Sequence, residues 1–100
     1  MNFKVNTDYM IANGTSLQGY VRTSYDRLVS LLGEPDRGSG KITAEWIVEF
    51  EDGTVATIYD WKEYSTPLGS YDWHIGGHDQ KAVDRVHLIL GYSQFYYKLL

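Results

Sequence analysis

The segment Asp72-Trp73-His74-Ile75-Gly76-Gly77-His78-Asp79 places two histidines and two aspartates within eight residues. Neutral imidazole beside carboxylate is ordinary ligand chemistry for zinc. Asp72, His74, His78 and Asp79 would then be the donors of a metal-dependent hydrolase. Their spacing follows no metal motif, and His78 and Asp79 stand where a helix should begin, so no metal or other cofactor is expected. The same residues offer a second chemistry. A strand, two glycines and a helix start present backbone N–H groups and a positive dipole end to an anion. Gly76 and Gly77 would approach a phosphate, His74, His78 and Lys81 would add charge, and Trp73 would stack on a base. That set describes a nucleotide- or phosphate-binding protein. The plainer alternative is a tight turn onto the sheet, with Asp79 closing the helix end by itself.

A different constellation lies on a hairpin. Ala44 to Trp61 reads AEWIVEFEDGTVATIYDW, two alternating runs around Asp52-Gly53, the signal for a two-residue type I′ turn. That turn sets Glu51 opposite Thr54, Phe50 opposite Val55 and Ala44 opposite Trp61. One face then carries Ala44, Trp46, Val48, Phe50, Val55, Thr57, Tyr59 and Trp61. The other carries Glu45, Ile47, Glu49, Glu51, Thr54, Ala56, Ile58 and Asp60. A slip of one residue exchanges the faces of a strand. In the expected register Glu45 faces Asp60, and like charges across a strand pair are unfavourable. Glu45, Glu49, Glu51 and Asp60 around the Ile47–Ile58 pair thus form an expected protein-binding surface, suited to a basic pocket on a protein that normally binds nucleic acid. A solvated sheet face is the plainer alternative.

These residues need elements to position them. Met1 to Asn13 is a weakly ordered arm or an edge strand. Leu17 to Arg22 is a strand with Leu17, Gly19 and Val21 on one face, and Gly19 marks a bulge or a close backbone approach. Thr23-Ser24 caps a first helix, with Asp26 imitating a capping box with a shorter acid and Tyr25, Leu28, Val29, Leu31 and Leu32 forming its stripe. Gly33 and Pro35 stop it. Asp36 to Gly40 is a loop expected to be disordered. Tyr71 to Ile75 adds a strand, which Gly76-Gly77 breaks. His78 or Asp79 caps a second helix, with Ala82, Val83, Val86, Ile89 and Leu90 as its stripe. The order β-α-β-β-β-α predicts an α+β fold: a mainly antiparallel sheet of three to four strands with both helices on its aromatic face. Its core would span about residues 14–91 of a single domain covering 1–100. The tail 92–100 is rich in aromatics, and Tyr92, Phe95, Tyr96 and Tyr97 are a candidate homodimer contact.

Composition narrows the function classes. A net charge of −4 argues against general nucleic-acid binding. Zero cysteines exclude a disulfide scaffold and fit a reducing compartment. There is no run of about 20 apolar residues for a membrane span, and MNFKVNTDYM lacks a signal-peptide core, so a cytoplasmic protein is expected. Nucleophilic catalysis finds neither a cysteine nor a G-x-S-x-G turn, and no enzyme activity is expected.

As a set, GTSLQGYV, LLGEP, AEWIVEFEDGTVATIYDW and YDWHIGG resemble a group of small proteins encoded by bacteriophages and related mobile elements, over about residues 14–90. The resemblance implies a phage origin. For small acidic proteins of that kind it also implies inhibition of a host defence system or host enzyme, by binding a protein or sequestering a nucleotide. It transfers no functional residue.

Overall fold

Alternating side chains mark the segments that become strands, and helical spacing marks the two that become helices. The computed structural model describes residues 1–92. They form β1 (Phe3–Asn6), a 3-10 turn (Tyr9–Ala12), β2 (Ser16–Ser24), α1 (Tyr25–Leu32), β3 (Glu45–Phe50), β4 (Val55–Tyr59), β5 (Ser70–Gly77) and α2 (Lys81–Ile89). The class is α+β. The sheet is larger than its sequence suggested: five strands in the order β1-β3-β4-β5-β2, each pair antiparallel. The additional strand is β1, which pairs Phe3 with Phe50 through Asn6 with Ile47. The hairpin acids hold it there. Glu49 meets Lys4 Nζ at 3.5 Å and accepts from Asn6 Nδ2 at 3.3 Å, and Glu51 accepts from the Asn2 N–H at 3.1 Å.

Both helices cover one face of the sheet. Leu28 and Leu32 of α1 join Ala82, Val83, Val86 and Leu90 at α2 in a single core with Val21, Trp46, Val48, Ala56, Ile58, Trp73 and Ile75. Ser24 caps α1, its hydroxyl accepting from the Arg27 N–H at 3.2 Å, and Gly33 stops it at φ +86°. Thr23 lies in β2, so the expected capping box is absent. Two buried indoles clamp the ends of this helix. Trp46 Nε1 donates to Gly33 O (2.8 Å), Trp73 Nε1 donates to Thr23 O (3.1 Å), and the rings meet edge to face at 5.5 Å. Asp36 to Gly40 is ordered against β3 through paired Asp36–Glu45 backbone bonds of 2.9 and 3.0 Å.

The hairpin differs from expectation by one residue. The Gly53 N–H donates to Phe50 O and the Phe50 N–H to Thr54 O, both at 2.9 Å. Glu51-Asp52-Gly53 is therefore a three-residue loop, with Gly53 left-handed at φ +88°, the common alternative to a two-residue turn. Asp52 Oδ1 accepts from the Thr54 N–H (3.0 Å) and Oδ2 from Arg85 Nε (3.0 Å), which ties the loop to α2. Glu49 now faces Val55 and Glu45 faces Tyr59. β4 is thereby turned over. Ala56 and Ile58 enter the core with Asp60 just beyond them, and Val55, Thr57, Tyr59 and Trp61 take the opposite face. Asp60 is fully buried, and its carboxylate is satisfied there. It accepts from the Thr43 N–H (2.8 Å), the Ala44 N–H (3.1 Å) and the Thr43 hydroxyl.

β5 also runs further than expected, continuing through Gly76-Gly77. A Cβ at Gly77 would come 2.3 Å from that of Ala82, so glycine here permits the approach of α2. Gly19 serves a related purpose in β2. The register shifts between Leu17 and Gly19, and a Cβ at Gly19 would stand 2.9 Å from Val83 Cγ2. The bulge separates Leu17 from Val21, sending Leu17 to the uncovered face.

Gly77→Ala is expected to lower stability by about 1–3 kcal/mol through overpacking, while Gly69→Ala, with open space around it, should leave the urea midpoint unchanged. Asp60→Ala strands two backbone donors and should cost about 3 kcal/mol, measurable in the same unfolding titration.

Candidate functional site

The face opposite the helices is organised in cross-strand rows. Asn6, Ile47, Thr57, Gly76 and Leu17 form one row, each the register partner of the next. The 3-10 turn packs against β4 on its way from one sheet edge to the other, and Ile47 and Thr57 are buried at 1% and 4% exposure. The next row is Glu45, Tyr59, His74 and Tyr20, again partner to partner across four strands. Its rings pack against each other. Tyr20 meets His74 edge-on at 4.8 Å, Tyr59 meets His74 at 5.4 Å, and Trp61 meets Tyr59 edge-on at 6.4 Å. Leu17, Tyr20, Tyr59, Trp61 and His74 line an open basin of about 410 Å³, a volume in the range of ligand sites. Leu17 and Tyr20 are each 48% exposed and Trp61 40%.

Each wall has a local cause. The β2 bulge delivers Leu17, and the three-residue hairpin loop delivers Tyr59 and Trp61. Gly76 has no side chain where a Cβ would lie 2.5 Å from Thr57 Oγ1 and 3.5 Å from the Tyr59 ring, so that ring can lie down on the sheet. Trp61 is held by its own backbone: its N–H donates to the Tyr71 hydroxyl (3.2 Å), which in turn donates to Glu63 (3.2 Å). The next residue, Lys62, adopts φ +58°, a left-handed conformation that costs an ordinary residue about 1 kcal/mol. Lys41 Nζ lies 5.5 Å from the Trp61 ring centre, within cation–π range.

The polar ends of these rings are unpaired. Several other aromatic residues use theirs: Trp46 and Trp73 as described, Tyr25 to Glu34, and Tyr92 to Arg22 O. Among the described residues, the hydroxyls of Tyr20 and Tyr59, the Trp61 Nε1 and both His74 nitrogens have no protein partner. His74 Nδ1 is buried in that state. An orphaned N–H is rarer than an orphaned acceptor, which assigns the imidazole proton to Nε2. Burial lowers the His74 pKa against the opposing carboxylates of Asp60, Glu63 and Asp72, so the ring stays neutral to lower pH than an ordinary imidazole. Burial, then the charges of Glu45 and Tyr20, raise the Tyr59 hydroxyl. Glu45 is itself raised, by burial and then by Asp36.

The sequence-derived residues are dispersed by this arrangement. Of the expected acidic surface, Ile58 and Asp60 are buried on the helix side and Ile47 lies in the row beneath the 3-10 turn. Glu49 and Glu51 serve β1, and Glu45 alone borders the basin. Of the expected anion site, Trp73 is buried in the core on the side opposite His74, and Gly76 and Gly77 lie within β5. His78 and Lys81 sit beside the hairpin loop with Asp52 and Asp79. Asp79 already occupies the start of α2, its carboxylate accepting from the Lys81 N–H (2.9 Å) and its carbonyl from that of Ala82 (3.2 Å). Among the described residues no three His, Asp or Glu side chains gather as a metal site, so Asp72, His74, His78 and Asp79 do not form one. The expected dimer contact lies outside the described residues except for Tyr92. No described helix is long and apolar enough to cross a membrane.

Leu17, Tyr20, Tyr59 and Trp61 were not singled out by sequence. A three-residue reading of Glu51-Asp52-Gly53 would have put Tyr59 and Trp61 on one face with Ile47. No family model, curated protein or solved structure matches the chain.

Both His74 and His87 are held below the ordinary imidazole range, chiefly by burial. As pH falls through 6.5 the unfolded chain binds protons at these positions before the folded one does. Their contribution is thus complete above pH 6.5 and declines below it. Thermal unfolding should show a lower Tm at pH 5.5 than at pH 7.5, and His74→Phe should reduce that difference.

Proposed function

We propose that this is a non-enzymatic binding protein that engages a host macromolecule through the His74 basin. The observation that carries this reading is the set of unpaired ring atoms. Aromatic residues with one apolar body and one polar tip are enriched at interfaces because a partner satisfies both. Here Tyr20, Tyr59, Trp61 and His74 converge with their tips unused. The same chain pairs the indoles and several of the phenols on its helix-covered side. A flat, exposed, ring-lined concavity fits a protruding side chain of another protein better than it fits a substrate that must be enclosed.

The resemblance to small phage-encoded proteins supplies the biological setting we propose: inhibition of a host defence component or host enzyme by occupying its binding surface, in the host cytoplasm. The basin replaces the acidic hairpin row as the contact surface, since Glu49 and Glu51 are already engaged by β1. A nucleotide ligand remains the second reading for the same aromatic walls, because Trp61 and Tyr20 would stack on a base as well as on a side chain.

Tyr20→Ala and Trp61→Ala together are expected to abolish recovery of a partner from host lysate while shifting Tm by no more than a few degrees. Glu51→Lys, outside the basin, should leave the same partner bound. Equal recovery by all variants would remove the basin from the interface.

A further inference from the structure

The chemistry of the basin narrows what its occupant carries. We propose that it receives an arginine side chain of the partner protein, which extends the binding reading above by naming the group that docks. The rings of Tyr20, Tyr59 and Trp61 line one basin, linked through His74 and Tyr59 by centroid distances of 4.8 to 6.4 Å between neighbours. Aromatic faces are negative and attract cations, arginine more often than lysine, because the planar guanidinium can stack. Trp61 already shows this preference within the chain, with the Lys41 ammonium 5.5 Å from its ring centre.

Charge complementarity points the same way. The side-chain charges that act on His74 are those of Asp60, Glu63 and Asp72, and those that act on Tyr59 are Glu45 and Tyr20. Of these, Asp60 is buried on the helix side and Tyr20 is a neutral phenol, so among the described residues Glu45 and Glu63 are the carboxylates of the set without an ion pair, with the Lys41 ammonium on Trp61 as the facing cation. Arg22, the nearest basic residue along β2, is paired with Asp72 at 3.0 Å, and the chain as a whole carries a formal charge of −4. A guanidinium taking the place of the Lys41 ammonium on Trp61 would keep the charge balance with Glu45 and Glu63, and its N–H groups match the unpaired hydroxyl oxygens of Tyr20 and Tyr59. His74 stays neutral in this arrangement, as its burial requires, and contributes ring surface to the floor.

The test uses the whole chain and N-acetylarginine amide as probe, followed by proton–nitrogen NMR. Trp46 and Trp73 are buried and bonded, so the Trp61 indole signal reports the basin and is assigned by its loss in Trp61→Phe. The expected result is a saturable shift of the Trp61 indole and the His74 ring signals, weakened by added salt. Followed at His74, affinity should fall about tenfold in Trp61→Ala and remain near wild type in Trp61→Phe. N-acetylglutamate amide should produce no shift. Equal binding of the arginine probe by Trp61→Ala would show charge attraction without a basin and overturn the proposal. So would a shift by adenosine larger than that by the arginine probe at equal concentration. If the arginine probe fails but Tyr20→Ala with Trp61→Ala still abolishes partner recovery, the arginine assignment falls and the binding surface stands. If neither is observed, both fall.

Discussion

The buried carboxylate of Asp60 is the constraint on which the rest of the structure turns. A charge placed at zero exposure is tolerated only where hydrogen bonds replace water. Here the replacement comes from Thr43 and Ala44, the residues that lead into β3. Thr66 extends the network by a 2.7 Å contact with the Thr43 hydroxyl. One side chain thus ties the entry of β3, the exit of β4 and the loop that follows. It also decides which way β4 faces. With Asp60 inward, alternation puts Ile58 and Ala56 inward and Tyr59 and Trp61 outward. The aromatic basin is therefore a consequence of burying an acid on the other side of the same strand.

That dependence explains which features were legible in the sequence. Local signals succeeded where local physics decides. Ser24 and Gly33 bound α1 because a helix start needs a side-chain acceptor and its stop a left-handed residue. Gly19 announced a bulge and a close approach, and both occur. The α+β class and the placement of both helices on one face followed from the element order. The hairpin register was different. Asp-Gly supports a two-residue turn and Glu-Asp-Gly a three-residue one, and both β4 frames carry apolar residues. The choice rests on Asp60 reaching Thr43 and on Asp52 reaching Arg85, contacts 17 and 33 residues apart. No periodicity within the hairpin records them. The expected acidic surface failed with the register, since it needed Asp60 and Ile58 to face outward.

Gly76-Gly77 was misleading for a related reason. Paired glycines usually interrupt a strand, but each here answers a contact from a different side of the sheet. Gly77 admits Ala82 of α2, and Gly76 admits Thr57 and the Tyr59 ring. The strand continues because β2 and β4 both pair with it to its last residue, Gly77 facing Ser16 and Ala56. Adjacent glycines on opposite faces of a strand record crowding on both faces.

The geometry of the first connection determines how much of the uncovered face remains available. β1 and β2 are the two edges of a five-stranded sheet, so residues 7–15 must cross four strand gaps, about 19 Å. Nine residues reach about 30 Å when extended. The excess is taken up by the 3-10 turn, which packs on β4 and lies nearest the row of Ile47, Thr57 and Gly76. Tyr9 of the turn also reaches Asp36 and Glu45, whose charges, after burial, raise its hydroxyl. The rest of the adjacent row that Glu45 begins, Tyr59, His74 and Tyr20, borders the open basin, and its residues suit that condition: rings with polar tips instead of aliphatic side chains. A purely aliphatic row there would be an aggregation hazard, and a purely charged one would leave no apolar area for a partner. Rings satisfy both requirements. Because these outer rings lie outside the core shared by α1 and α2, the proposed contact surface and the core of the fold are made by different residues.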